Sequence, residues 1–300
     1  MAKRRPPSVN GFVVIDKPAG MTSHDVVAKL RKRFNEKRVG HAGTLDPDAT
    51  GVLLVGVGYV TRLMTYLSGM SKSYVGEVVL GSTTTTLDDS GETTATFDMS
   101  AVTLADVKAA ASRFVGEIEQ IPPMVSALKV DGKRLHELAR EGIEVERKAR
   151  RIIIHSLAVA PTAEPHVFSI DVTCSSGTYI RTLAADLGAA LGGCAHLAAL
   201  RRTRVGSFTL DEARPLDAVV ADPHAATLDL VTMVRDLPTE TVDEATAIAV
   251  RHGSVFPAGT FAAATEGQPV AVVGDGALLA VYERRGAGIK PVVVVAGSAG

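Results

Sequence analysis

The sequence predicts an α+β fold with a smaller β unit at its carboxyl end, on three observations. Apolar strand-like runs interleave with amphipathic helical patterns. Two of those runs, residues 152–160 and 167–174, follow one another across a short link bounded by Pro161 and Pro165. Beyond about residue 241 the pattern changes to glycine-punctuated strands after one short helix. A chain of 300 residues has room for one large domain plus a small one, because a single core stops growing at about this size.

The chain opens with a basic arm, Lys3, Arg4 and Arg5 followed by Pro6 and Pro7, which reads as disordered. Residues 11–15 read as a short buried strand and residues 16–20 as a turn. Ser23 is placed to cap a helix whose Val26, Val27, Leu30 and Phe34 share one face, with Arg31, Lys32 and Arg33 opposite.

Residues 40–51, GHAGTLDPDATG, hold glycines, a proline and two carboxylates between that basic helix and an apolar run. Such a loop keeps Asp46 on a rigid turn. Taken alone it admits three roles: an Asx-Pro turn, a two-carboxylate cation site, or a catalytic carboxylate. The cation site is short of oxygen ligands for Mg²⁺ or Ca²⁺.

Residues 52–57 then read as a strand, 61–67 as a short helix and 73–80 as a second strand headed by Tyr74. A tyrosine there ordinarily packs half-buried, yet the chain has no Trp and five Tyr, so few rings are available to stack on a base. Residues 83–92, with Asp88 and Asp89, read as a polar loop without EF-hand spacing. Thr103 caps a helix carrying Leu104, Val107, Ala110, Ala111 and Phe114.

Composition shifts at residues 122–151, which hold eight Lys or Arg among five acidic residues. Lys129, Lys133, Arg134 and Arg140 belong to this excursion, with one short amphipathic helix between Arg134 and Gly142. Charge pattern alone leaves a solvated helical hairpin and a polyanion-gripping insertion both open. After the paired strands, residues 175–183 turn into a helix running to about Leu191, with Arg181 in its first turn among apolar neighbours. Such an arginine often only snorkels or closes a local ion pair.

Net charge is −1, but residues 1–38 carry ten basic against three acidic residues and residues 209–245 nine acidic against two basic. A localised basic surface suits a polyanion, and equally suits a solvated face. No apolar run approaches the roughly 20 residues of a membrane span, and the start lacks a secretion signal's apolar segment. A cytoplasmic protein is expected, with Cys174 and Cys194 as small core residues. With no exposed apolar repeat, a monomer without an obligatory protein partner is expected.

Several stretches together resemble one family. GHAGTLDPDATGVLLVGVG (residues 40–58) is similar to the catalytic motif of the bacterial tRNA pseudouridine-55 synthases, the TruB family. KPAGMTS (17–23), Lys72-Ser73-Tyr74, SALKxxGxRxxxxAREG (126–142), GTYIR (177–181) and LRRTRVG (200–206) resemble further motifs of the same enzymes. The resemblance covers roughly residues 9–208.

It implies a pseudouridine-synthase-like mixed, largely antiparallel central sheet flanked by helices, with a basic thumb at about 122–151. Residues 1–238 would form the catalytic domain and 239–300 a PUA-like RNA-binding domain. Asp46 would be the nucleophile, Arg181 its ionic partner and Tyr74 the ring against the uracil. Leu200 would line the uridine pocket. His41, Lys17, Tyr179, Lys129, Lys133, Arg134 and Arg140 would contact RNA or support that contact. The implied substrate is the T stem-loop of tRNA, with no cofactor and no metal.

Two other classes fit the residues less well. A non-enzymatic RNA-binding or tRNA-folding protein explains the basic surface, but has no use for a carboxylate beside phosphates. A metal-dependent hydrolase using Asp46, Asp48, Asp88 and Asp89 lacks a full ligand set.

Overall fold

The computed structural model describes residues 9–126, 128–130 and 132–295; the basic arm at Lys3, Arg4 and Arg5 lies outside them. In chain order the first elements are β1 (Gly11–Lys17), α1 (Ser23–Arg33), β2 (Val39–Ala42), β3 (Thr50–Val57), a 3₁₀ turn (Gly58–Leu63) and α2 (Met64–Ser68). Next come β4 (Lys72–Leu80), β5 (Ser82–Thr84), β6 (Thr93–Thr96), α3 (Leu104–Ser112), β7 (Gly116–Gln120), β8 (Lys129–Val130), β9 (Lys133–Arg134) and α4 (Leu135–Arg140). They are followed by β10 (Arg150–Pro161), β11 (Val167–Cys174), α5 (Ile180–Ala190), β12 (Ala195–Val205), β13 (Phe208–Thr209), β14 (Arg214–Pro215), α6 (Leu216–Ala221) and α7 (Leu230–Met233). The last are β15 (Thr239–Thr241), α8 (Glu244–Arg251), β16 (Phe256–Pro257), β17 (Pro269–Gly274), β18 (Ala277–Arg285) and β19 (Gly288–Val294). Among the described residues no helix is long and apolar enough to cross a membrane.

The chain divides into two compact units. The first gathers Met1–Asp46, Val52–Ser68 and Gly206–Gly300, the second Pro47–Gly51 and Gly69–Val205. In the first, β1 lies between β14, which it meets in parallel, and β3, and β2 adds to β3 antiparallel. The expected face of α1 packs there: Val26, Val27, Leu30 and Phe34 share a core with Val13, Ile15, Leu53, Val55 and Val57. Each fully buried aliphatic side chain of this set contributes roughly 1.5–3 kcal/mol relative to exposure.

The helix cap differs from expectation. Thr22 is the N-cap, in a reciprocal capping box with Asp25. Ser23 lies one residue inside the helix, buried, and its hydroxyl is spent elsewhere. The same unit carries a second sheet, in the order β15-β17-β18-β19-β16. Its core includes Val250 of α8, Phe261, Val272, Tyr282 and Ile289, and burial pushes the Tyr282 phenol up to about 12.

The second unit is built on the sheet β12-β4-β11-β10-β7, in which each neighbouring pair is antiparallel. Helix α5 packs against β12 and α3 against β10. Period-two burial along β11, with Phe168, Ile170, Val172 and Cys174 inward, matches one covered face. The predicted strand at 152–160 is extended to 150–161, and the 200–206 motif is the end of a strand the sequence pattern did not show. The thumb segment forms the β8–β9 hairpin and α4, which buries Leu135 and Leu138.

Candidate active site

Asp46 belongs to the first unit. It follows β2, beyond Gly43, whose φ of +80° suits glycine, and its side chain is partly exposed. The preceding residue, Leu45, is anchored by the Ser23 hydroxyl. Ser23 Oγ accepts from Leu45 N (2.9 Å) and donates to Leu45 O (3.2 Å). One side chain thus satisfies both backbone polar groups of Leu45 from the first turn of α1, so the backbone entering Asp46 is tied to a helix.

His41 lies on β2 opposite Val55, its ring edge-on to His24 at 5.3 Å between centroids. Lys17 is fully buried, and its Nζ donates to Pro18 O (2.8 Å) and Met21 O (2.6 Å). That shapes the turn leading to Thr22. The basic face of α1 is also partly committed to the protein itself. Arg31 donates to Val39 O, and Arg33 to Val220 O and Ala221 O.

Within the second unit, Tyr74 and Lys72 are on one face of β4. Tyr74 stands opposite Arg202 on β12 and Val172 on β11. It is 7 % exposed, and its hydroxyl hydrogen-bonds to the wholly buried Arg202. Burial lowers the Arg202 guanidinium, and Tyr74 opposes that shift.

Burial, with help from Arg202, lowers the Lys72 ammonium to about 8, and its Nζ donates to Met70 O (2.7 Å). The Cys174 thiol opposite Lys72 is pushed up to about 11 by burial. Leu200 lies opposite Gly76, two residues along from Tyr74. A Cβ on Gly76 would sit 3.3 Å from the Leu200 and Leu197 side chains and 2.8 Å from Ala199 O. The missing side chain therefore leaves room beside Gly76 for the Leu197 and Leu200 side chains of the neighbouring strand β12.

Arg181 is 5 % exposed in the first turn of α5. Its Nη1 donates to Thr86 O (2.9 Å) and reaches Asp88 Oδ2 (3.3 Å); its Nη2 donates to Val125 O (2.8 Å). Asp88, read from sequence as part of a polar loop, is thus an ionic partner of this arginine. Its other oxygen accepts from Thr86 Oγ1, Ser90 N and Ser90 Oγ. The loop is docked on β12 through Leu197 N to Leu87 O and Asp89 N to Leu197 O. Composition could not reveal this, because the pairing joins residues 93 positions apart; the one available signal was an Asx turn at Asp88 with no other task.

Tyr179 is the N-cap of α5 and partly exposed. Lys129 is on β8, Arg134 on β9 and Arg140 at the end of α4. Lys133 is exposed, 3.5 Å from Glu141. Among the described residues no group of three or more His, Cys, Asp or Glu is gathered as a metal site.

The comparisons agree with one another. The family model for the N-terminal domain of TruB family pseudouridylate synthase matches residues 31–180. That for the tRNA pseudouridylate synthase B C-terminal domain matches 181–235. A tRNA pseudouridine synthase B of Arthrobacter sp. is 45% identical over 97% of this chain and 98% of its own length. One of Mycobacteroides abscessus is 46% identical over 97% of both chains.

Among solved structures, a Cbf5-Nop10-Gar1 complex matches with a TM-score of 0.74 at 28% identity, covering 95% of this chain and 84% of that one. An H/ACA RNP bound to a substrate RNA containing 2'-deoxyuridine matches with a TM-score of 0.72 at 25% identity, over 94% and 83%.

Proposed function

Because the chain belongs to the TruB family of pseudouridine synthases, RNA isomerases, we propose that it converts uridine 55 in the T loop of tRNA to pseudouridine. Asp46 is the nucleophile in this reading. The observation that carries it is the family match across residues 31–235, with Asp46, Tyr74, Arg181 and Leu200 all present at the motif positions. The relatives' names supply tRNA as the substrate class, and the T-loop position rests on the motif resemblance.

The reaction breaks the N1–C1′ bond, turns the base and joins C5 to C1′, while the proton on C5 is lost and N1 gains one. Substrate and product are isomers, so the balance needs no electron carrier. A single carboxylate can stabilise or bond the electron-poor carbon because the leaving base stays bound. Attack at C1′ of the sugar and attack at C6 of the base are both compatible with one Asp; trapping the adduct distinguishes them.

A base within a folded loop is out of reach, so the nucleotide is flipped out at a cost of a few kcal/mol. Thumb and amino-terminal cations offset this through phosphate contacts. Tyr74 stacks on the uracil, Leu200 closes the apolar wall, and Arg181 supplies positive charge to the carboxylate.

The test is tritium release from tRNA transcripts labelled at C5 of uridine. Wild type releases label, and Asp46→Asn slows release by about 10³-fold or more. Release at the wild-type rate by Asp46→Asn removes the nucleophile assignment. Pseudouridine persisting at position 55 in a strain lacking this protein removes the target.

A further inference from the structure

The turn that presents Arg181 is held from outside its own helix. Tyr179, the N-cap of α5, makes no side-chain capping bond, and capping residues ordinarily satisfy the orphan donors of a first turn. A distant glutamine instead satisfies one of those donors, the N–H of Tyr179 itself. Tyr179 N–H donates to Gln120 Oε1 (2.8 Å), and Tyr179 O accepts from Gln120 Nε2 (3.1 Å). The same carbonyl accepts the first helical bond, from Leu183 N at 3.0 Å.

Gln120 is the last residue of β7, 2 % exposed, in register opposite Arg150 of β10. One primary amide matched to the donor and acceptor of one residue fixes rotation as well as distance; a single contact would leave a hinge. The segment that follows makes the arrangement a closed one. Gln120 leads through Pro122 and Pro123 to Val125, and Val125 O accepts Arg181 Nη2 at 2.8 Å. The stretch 120–125 therefore grips α5 at both its backbone start and its arginine. Two prolines with fixed φ keep the spacing between these grips.

We infer that Gln120 is a positioning residue for Arg181, acting through the Tyr179 backbone and the short stretch that ends at Val125. The inference rests on the reading in which Arg181 takes part in catalysis. Gln120 does not touch the substrate in this account. Its effect is on the direction of a guanidinium, and misplacement of about 1 Å at such a group can cost about 10²-fold in rate.

The experiment uses the full chain with a tRNA transcript and measures single-turnover tritium release, tRNA affinity by filter binding, and thermal unfolding. Gln120→Met, similar in length but unable to make either hydrogen bond, should release label about 100-fold more slowly. Its tRNA Kd should stay within about 3-fold of wild type. Gln120→Glu, isosteric but unable when ionised to donate to Tyr179 O, should be slowed in the same sense and serves if Gln120→Met does not fold. In an Arg181→Lys background, adding Gln120→Met should cost less than about 3-fold more, since residues acting as one unit are not additive.

Wild-type rates in both Gln120 variants overturn the proposal. So does an equal loss in both backgrounds, or a loss of affinity and unfolding temperature that accounts for the whole change in rate. A wild-type rate in Arg181→Lys would instead sink the role proposed for Arg181, an outcome distinct from a failed clamp.

Discussion

Arg181 Nη1 stands 3.3 Å from Asp88 Oδ2, and the other oxygen of that carboxylate is occupied by Thr86 and Ser90. The arginine of the GTYIR motif is therefore anchored by a carboxylate that is itself anchored. Three acceptors from two loops fix its guanidinium, Thr86 O and Asp88 from one and Val125 O from the other. A guanidinium so constrained is pre-organised, which raises what it contributes to a reaction relative to a mobile one.

Asp88→Asn tests this directly. Asparagine keeps the oxygen that faces Thr86 and Ser90 but turns an N–H₂ toward the guanidinium. Single-turnover tritium release should fall by about 10–100-fold with tRNA affinity little changed. Unfolding stability should drop by about 1–3 kcal/mol, because a buried cation loses the ion pair it makes with Asp88.

Lys72 predicts a pH dependence. Its folded pKa is depressed from 10.5 to about 8, first by burial and then by Arg202. A depressed lysine costs stability wherever it must be charged in both states, so the penalty is fully present below about 8 and relieved as pH rises toward the unfolded value. Denaturant titrations of wild type should show a component of stability that increases between about pH 8 and 10.5, of order 3 kcal/mol. Lys72→Met should lack it. Identical pH profiles for the two proteins would contradict the assignment.

Ser23→Ala removes both hydrogen bonds to the Leu45 backbone, at its N–H and its C=O. Loss of a buried pair should cost about 1–2 kcal/mol in urea unfolding. Freeing the backbone next to Asp46 should also lower the rate by about 10-fold at unchanged tRNA affinity. Thr22→Ala is the control, costing about 1 kcal/mol through its helix cap and leaving the rate near wild type.

Gly51 has φ +103°, and a Cβ there would fall 2.1 Å from Arg202 O. Thr50 and Gly51 pair in parallel with Arg201 and Arg202, so the strands meet where no side chain fits. Gly51→Ala combines an unfavourable φ with a backbone clash, and should destabilise by about 3 kcal/mol or more. A melting temperature within a degree of wild type would refute it.

Local chemistry was enough for several of the elements and for the motif stretches. The α1 face of Val26, Val27, Leu30 and Phe34, the alternation along β11 and the cap at Thr103 follow from periods and propensities, which act within a few residues. The motif stretches likewise carry Asp46, Tyr74, Arg181 and Leu200 as a family signature, since a signature is linear. Tertiary structure alone decided what those residues hold. Ser23 reads as a cap because its neighbours match one, yet Thr22 takes the cap and frees Ser23 for Leu45. Asp88 reads as a loop carboxylate until the chain brings α5 beside it, and Gln120 carries no sequence mark of its grip on Tyr179. Each of these contacts spans 22 to 93 positions, and side-chain hydrogen bonds over such distances depend on how strands and helices close on one another, which no local pattern encodes.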